Sequence, residues 1–418
     1  MKNSHDKNTS NSKSQTESRI RETIYRYAPI SRTEIAKRLA LTPPTITTSV
    51  SNLIDKGIVY ECKTATPSSN INGRPSVLIN FIPDSHYIIG IDQSPLHTAV
   101  CITDIRGNTI YEKMQPPLSN DYNIALSTLS TLIQSAIFDS QIKPSLLLGV
   151  GICLPGLIDY DHGIVIHNPH SDWSNKPLVT DLTAKCNLPI LIQNNAQTRA
   201  IAENLFSLSD TKKFAYLFVS NGISCPLTIR DNVYGNISLG PGEIGQCIFA
   251  QNNLWPDTFA QNRLDCIASE HAIIQQCQRI MSENPDSILN QLCASSDLLT
   301  IETILSAQHQ NDFYTNQIIL NSIFYIAQAL SFIINFAFPP LVVIDSKILA
   351  NTTNQNHFYK ALGKLLFSAR LDEIDFIFLP FDSMRGARSA TALVIQNKFL
   401  HITNFTEKNN KRRHYEEI

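Results

Sequence analysis

A chain of 418 residues exceeds what one small core can hold, so two or three domains are expected. With 43% hydrophobic and 17% charged residues and a formal net charge of -2, the composition is that of a soluble globular protein, and the overall charge favours neither nucleic acid nor membrane as a partner. Nine scattered cysteines, an odd number without a C-x-x-C pair, exclude a disulfide scaffold and fit free thiols in a reducing cytoplasm.

The charge is unevenly spread. Residues 1–85 carry 12 Lys and Arg against 7 Asp and Glu, so a basic front end precedes an acidic body. Residues 1–16 are polar, lack the apolar run of a signal peptide and read as a disordered tail. Ile20, Ile24 and Tyr27 then recur at helical spacing and predict a first helix from about Glu17 to Tyr27. Ser31 with Glu34 makes a capping box for a short second helix, "RTEIAKRLA". Thr42 as N-cap and Pro43 at the first helical position open a third helix, which Gly57 ends.

On that third helix Ile46, Val50, Leu53 and Ile54 share one face, and Pro44, Thr45, Thr48, Ser51 and Asn52 share the other. Such short hydrogen-bonding side chains reach base edges or phosphates in a major groove without steric clash. Two strands, "IVYECKT" and "VLINFIP", flank the loop "ATPSSNINGRPS", whose Arg74 has the setting of a minor-groove contact. Residues 17–83 therefore read as a winged helix-turn-helix that binds double-stranded DNA. The competing readings are a three-helix interaction module and, for Arg74, a solvated loop arginine.

From Tyr87 the pattern becomes a β-meander followed by alternating strands and helices, the mark of an α/β body. The apolar run Ile318 to Pro340 is interrupted by Asn321, Gln328 and Asn335 on one stripe, which suits a core helix better than a membrane span. His162, His167 and His170 lie within nine residues, but a loop reading is preferred to a metal site. The basic tail 401–418 reads as a solvated terminus. At residues 193–204, "QNNAQTRAIAEN", a strand end opens into a helix, a usual place for reactive side chains, yet it carries the amides Asn194 and Asn195.

These segments resemble the ROK family, named for repressor, open reading frame and kinase. "GICLPGLIDYDHGIVIHNPHSDW" is similar to its G-x-P-G-x-[VI]-D segment, "QNNAQTRAIAE" to its N-D-A-x-x-x-A-x-A-E, and "GPGEIGQ" to its G-E-x-G-H. The winged front end with "GRP" resembles the regulator branch. The resemblance implies a two-lobed actin-like, ribonuclease-H-like α/β fold (residues 86–400, with lobes at roughly 86–200 and 201–400), a sugar site, and assembly into dimers or tetramers.

The departures from the family point away from catalysis. Its catalytic carboxylate corresponds to Asn195, and an amide cannot take the hydroxyl proton; loss of a general base typically costs ~10² to 10⁴ in rate. The phosphate loop D-x-G-G-T corresponds to "DQSPLHT", and two further glycine loops correspond to "SNGISC" and "VVIDSKILA". Glycine, 15 of 418 residues, is about half its usual ~7%. The family's zinc ligands are gone too: Gln246 stands for the histidine, and no cysteine lies between Cys247 and Cys266. The expectation is a regulator with no catalytic residue, metal or cofactor, whose body holds a small carbohydrate through Asn194, Asn195, Glu243, Gln246 and Asp265. Asn195 still offers an acceptor and two donors. Against this stand a divergent kinase, a pure interaction protein, and a drifted cleft in which the two amides merely cap a helix.

Overall fold

The computed structural model describes residues 3–63, 77–207, 211, 213–229, 232–235, 240–249 and 262–400; Arg74 and the tail 401–418 lie outside the described residues. At the front, α1 (Asn3–Tyr27), β1 (Ile30–Ser31), α2 (Arg32–Leu39), α3 (Pro43–Asp55), β2 (Val59–Lys63) and β3 (Val77–Phe81) follow one another. The strands form an antiparallel sheet in the order β1-β3-β2. Ile20 and Ile24 from α1, Ile35 from α2, Ile46, Val50 and Leu53 from α3, and Ile79 and Phe81 from β3 are all buried.

Three local features differ from the sequence reading. The first helix begins at Asn3, inside the stretch expected to be a disordered tail, because its early turns carry no apolar stripe for periodicity to register. Ser31 accepts the Glu34 N–H at 3.1 Å, but the Glu34 carboxylate pairs with Arg38 at 3.0 Å, so only half of the capping box forms. Thr42 occupies the N-cap position, yet its hydroxyl meets that of Thr45 at 2.9 Å and caps no backbone N–H.

Two compact units make up the chain. The first runs to Leu154, resumes at His162–Gln193 and again from Gly386; the second holds Pro155–Asp161 and Asn194–Arg385. The division falls at Gln193 and not near residue 200, and the chain from Gly386 returns to the first unit. Helix Arg385–Val394 explains the return: it lies so close to the first unit's sheet that a Cβ on Gly90 or Gly151 would fall 2.0 or 1.9 Å from the carbonyl oxygens of Ala387 and Ala390.

The five-stranded sheet of the first unit has the order Ile190–Asn194, Leu147–Leu154, Tyr87–Gln93, Thr98–Asp104, Thr109–Gln115. Its last three members are the expected meander, with Tyr87–Gln93 parallel to Leu147–Leu154. The winged module is fastened to this unit. Arg106, in the turn after Thr98–Asp104, donates to the Tyr25 carbonyl at 2.6 Å and to Asn80 Oδ1 at 3.3 Å, and its guanidinium lies over the rings of Tyr25 and Phe81. Tyr25 in turn donates its hydroxyl to the Ile105 carbonyl at 2.7 Å, and Arg21 reaches the carbonyl of Phe399.

In the second unit Lys213–Val219, Leu341–Ser346 and Asp375–Phe378 run parallel, and Leu227–Ile229 and Asn232–Val233 extend the sheet antiparallel. Helix Phe313–Ala337 buries Ile319, Ile323, Ile326, Leu330 and Ile334 in that unit's core and turns Asn321 and Asn335 outward. It is the one helix among the described residues long and apolar enough to cross a membrane, and half of its most apolar window is buried.

Candidate functional site

On α3 the division of faces is sharp. Ile46, Val50 and Leu53 are fully buried, whereas Pro44, Thr48, Ser51 and Asn52 are exposed and Thr45 is half-buried. Thr47, which helical spacing did not single out, is exposed as well. The face presents hydroxyls and an amide, groups that phosphates and base edges accept, and its one carboxylate, the exposed Asp55, stands at the last residue of the helix.

The body residues gather around the strand end at Asn194. This side chain is the N-cap of helix Asn195–Phe206: Oδ1 accepts from the N–H groups of Ala196 at 2.9 Å and Gln197 at 3.3 Å, while Nδ2 donates to the Gly156 carbonyl at 3.0 Å and to Glu243 Oε1 at 3.1 Å. Both ends of the amide are engaged. The Ser224 hydroxyl donates to Glu243 Oε2 at 3.1 Å. Burial pushes the Glu243 carboxyl up to about 7, against the opposing effect of the Ser224 hydrogen bond. Asp265 accepts from Ile223 N–H at 2.7 Å and from Gln246 Nε2 at 2.8 Å, and burial raises its carboxyl as well.

Four of the five expected body residues thus form two bonded pairs, Asn194 with Glu243 and Gln246 with Asp265. Asn195 joins neither; its Oδ1 turns back to the Ala196 N–H at 2.9 Å. Ser224 and Arg263, which donates to Gln246 Oε1 at 3.1 Å, belong to the cluster and carried no sequence signal.

The segments that stand for phosphate loops are closed by their own side chains. In the turn after Asp92, the N–H groups of Leu96 and His97 fold back onto Ser94 Oγ at 3.2 and 3.1 Å, and Ser94 N–H meets the His97 carbonyl at 3.0 Å. In the second unit Asp345 is buried and held by Arg385 at 2.7 Å, by the Tyr216 hydroxyl at 3.1 Å and by Arg199 at 3.4 Å, with Arg199 also stacked over Phe218. Burial drives the Tyr216 phenol well above its ordinary range, and the Asp345 charge adds to the shift.

A model of the ROK family matches residues 88–397, about three-quarters of the sequence, and a winged helix-turn-helix DNA-binding model matches residues 13–60. The chain belongs to the ROK family. The xylose repressor of Bacillus subtilis (strain 168) is 27% identical over 329 residues, covering 78% of this chain and 80% of that protein. The transcriptional dual regulator NagC of Escherichia coli (strain K12) is 23% identical over 326 residues, 78% of each chain. Among solved structures, a ROK family transcriptional regulator, a homologue of the E. coli MLC protein, aligns with a TM-score of 0.76 at 20% identity over 92% of this chain and 97% of that one. A ROK glucokinase from Streptomyces griseus aligns with a TM-score of 0.63 at 16% identity over 73% and 98%. The fold is therefore a winged helix-turn-helix joined to a sugar-kinase-like α/β body.

The zinc site that membership of the ROK family implies does not fit this chain. Both ends of the Gln246 amide are engaged by Asp265 and Arg263, and the guanidinium of Arg263 puts a fixed positive charge beside the position a ligand would need. Among the described residues no three His, Cys, Asp or Glu side chains gather, and residues 250–261 contain neither Cys nor His.

Proposed function

We propose that this ROK protein is a sugar-responsive transcriptional repressor of the cytoplasm that works as a homo-oligomer on a palindromic operator. The observation that carries the reading is the α3 face: Pro44, Thr45, Thr48, Ser51 and Asn52 stand over a fully buried apolar face, on a module fastened to the body through Arg106. Arg74 is assigned to the wing contact on sequence grounds alone. A two-fold assembly would set two α3 helices on half-sites one or more helical turns apart. The similarity to repressors named for xylose and for N-acetylglucosamine supports a carbohydrate effector. That effector would bind around Asn194, Asn195, Glu243, Gln246 and Asp265 and change operator affinity through its different affinity for two states.

Kinase activity is not part of the proposal. Asn195 offers no general base, and the N–H groups after Asp92 that could hold a phosphate are taken by Ser94. No sugar-dependent ADP release is expected with any hexose or pentose.

The test is selection of genomic fragments on the full chain at moderate salt, beside a Thr48→Glu, Asn52→Glu variant. Discrete fragments sharing a palindrome, lost in the variant and released by one sugar of a panel, are the expected result. Diffuse, salt-sensitive retention equal in both proteins would overturn specific operator recognition.

A further inference from the structure

Asp265 sits in an unusually complete cradle. A Cβ on Gly245 would stand 1.9 Å from its Oδ1, and one on Gly222 would stand 3.5 Å from its Oδ2. The contact at Gly222 is an ordinary van der Waals one, so it is Gly245 whose missing side chain makes room for the carboxylate. The Ile223 N–H fixes Oδ1 at 2.7 Å, but one hydrogen bond leaves a carboxylate free to turn about its Cβ–Cγ bond. Gln246 Nε2, on Oδ2 at 2.8 Å, stops that rotation. The amide has a reason to point that way, since only its oxygen can face Arg263 Nη1 at 3.1 Å. A guanidinium, an amide and a carboxylate thus stand in line.

We propose that Gln246 is a positioning residue which, oriented by Arg263, braces the Asp265 carboxylate for the effector without any metal. The brace rests on the reading that this cluster takes a sugar, but its mechanical half does not. Gln246 and Arg263 are exposed, so their bonds contribute little to stability. A carboxylate that turns, however, no longer meets a hydroxyl at the required distance, because recognition tolerates only about 0.5 Å of misplacement. Loss of the brace should therefore reach ligand affinity and leave the fold intact, whereas a merely structural pair would move stability first.

The experiment uses the full chain with D-xylose and N-acetylglucosamine as calorimetric probes, and hydrogen exchange of the segment containing Ile223 without ligand. Gln246→Ala is expected to weaken the probe that wild type binds by about tenfold and Arg263→Ala by about threefold, with unchanged melting temperature. Gln246→His, whose ring N–H can still reach the carboxylate, should recover most of the loss. Exchange at Ile223 should quicken in Gln246→Ala, and prolonged chelation of wild type should change nothing. Affinity within twofold of wild type in Gln246→Ala, or loss of binding on chelation, would overturn the positioning role. If wild type binds neither probe, the effector reading fails for these sugars, and the exchange rate alone decides whether the brace exists.

Discussion

The α3 face and the Glu243 cluster are both polar, yet they dispose of their polar groups in opposite ways. On α3 the hydroxyls of Thr48 and Ser51 and the amide of Asn52 face solvent over an apolar floor. Around Glu243 the polar atoms are turned on one another: Asn194 uses both ends of its amide, Glu243 takes two hydrogen bonds, and Gln246 links Arg263 to Asp265. A surface that meets a large, rigid polyanion can wait unbonded in water, because water is replaced group for group. A partly buried cluster cannot, since each unmatched polar atom there costs about 1–3 kcal/mol. The difference implies that DNA is met by a preformed surface, whereas a small effector must either exchange bonds that the protein already makes or use the lone pairs those bonds leave over, as at the braced Asp265.

The comparison breaks most severely at Asp345, a buried carboxylate that two arginines share. Asp345→Ala leaves Arg199 and Arg385 without their shared partner in a buried setting and is expected to cost about 3–5 kcal/mol in urea unfolding. A change below about 1 kcal/mol would mean that water already neutralises the pair. On α3 the expected loss is of function and not of fold: Thr48→Glu with Asn52→Glu should weaken operator binding at least ~100-fold, about 2.7 kcal/mol, with an unchanged melting temperature.

A pH series sharpens the contrast. The folded-state pKa of Glu243, about 7, lies above the ordinary 4.5, so the fold holds this proton more tightly than the unfolded chain does. Its contribution is intact below pH 4.5 and falls as pH rises toward 7, a loss on the order of 3 kcal/mol. Glu270, also raised to about 7 chiefly by burial, slopes in the same direction, so Glu243→Gln should reduce the pH dependence and not abolish it. Chemical denaturation between pH 4.5 and 7.5 checks this; an unaltered slope would place the Glu243 carboxylate in water. The α3 variants, which bury no titratable group, should leave that slope unchanged.

How much of this was legible depended on the range of the interaction. The order of α1, α2, α3 and the wing followed from apolar spacing and from Pro43, all local signals. The α/β body followed from alternation and from motifs that also named the family. Partners far apart in sequence left no such trace. Arg199 and Arg385 meet on Asp345 across long intervals, and Arg263 gave no sign of its bond to Gln246. Asn194 was readable as either a sugar contact or a helix cap, because an amide at a strand end serves both; the geometry shows the cap and leaves Glu243 as its second partner. The return of the last helix to the first unit left no trace either, since it rests on contacts distant in sequence, among them the packing of Ala387 and Ala390 on Gly90 and Gly151.

A modest effect on stability is expected where the winged module meets the rest of the first unit. Arg106 gives the Tyr25 carbonyl a charged hydrogen-bond donor and lies 4.9 and 5.2 Å from the ring centres of Tyr25 and Phe81. Arg106→Ala removes two hydrogen bonds, to the Tyr25 carbonyl and Asn80 Oδ1, and two cation–π contacts at a part-exposed site, for a loss of about 1–2 kcal/mol. Tyr25 still reaches the Ile105 carbonyl at 2.7 Å, and Arg21 still reaches Phe399, so the module should remain seated but less rigidly. Operator affinity without sugar should fall only a few-fold, because the α3 face is untouched. The response to sugar should fall further, because a movement in the body then reaches α3 through a looser contact. Binding isotherms with and without the inducing sugar check this. A variant whose sugar response equals that of wild type would show that the signal passes to the winged module by another route, and Arg21 with Phe399 would be the next contact to break.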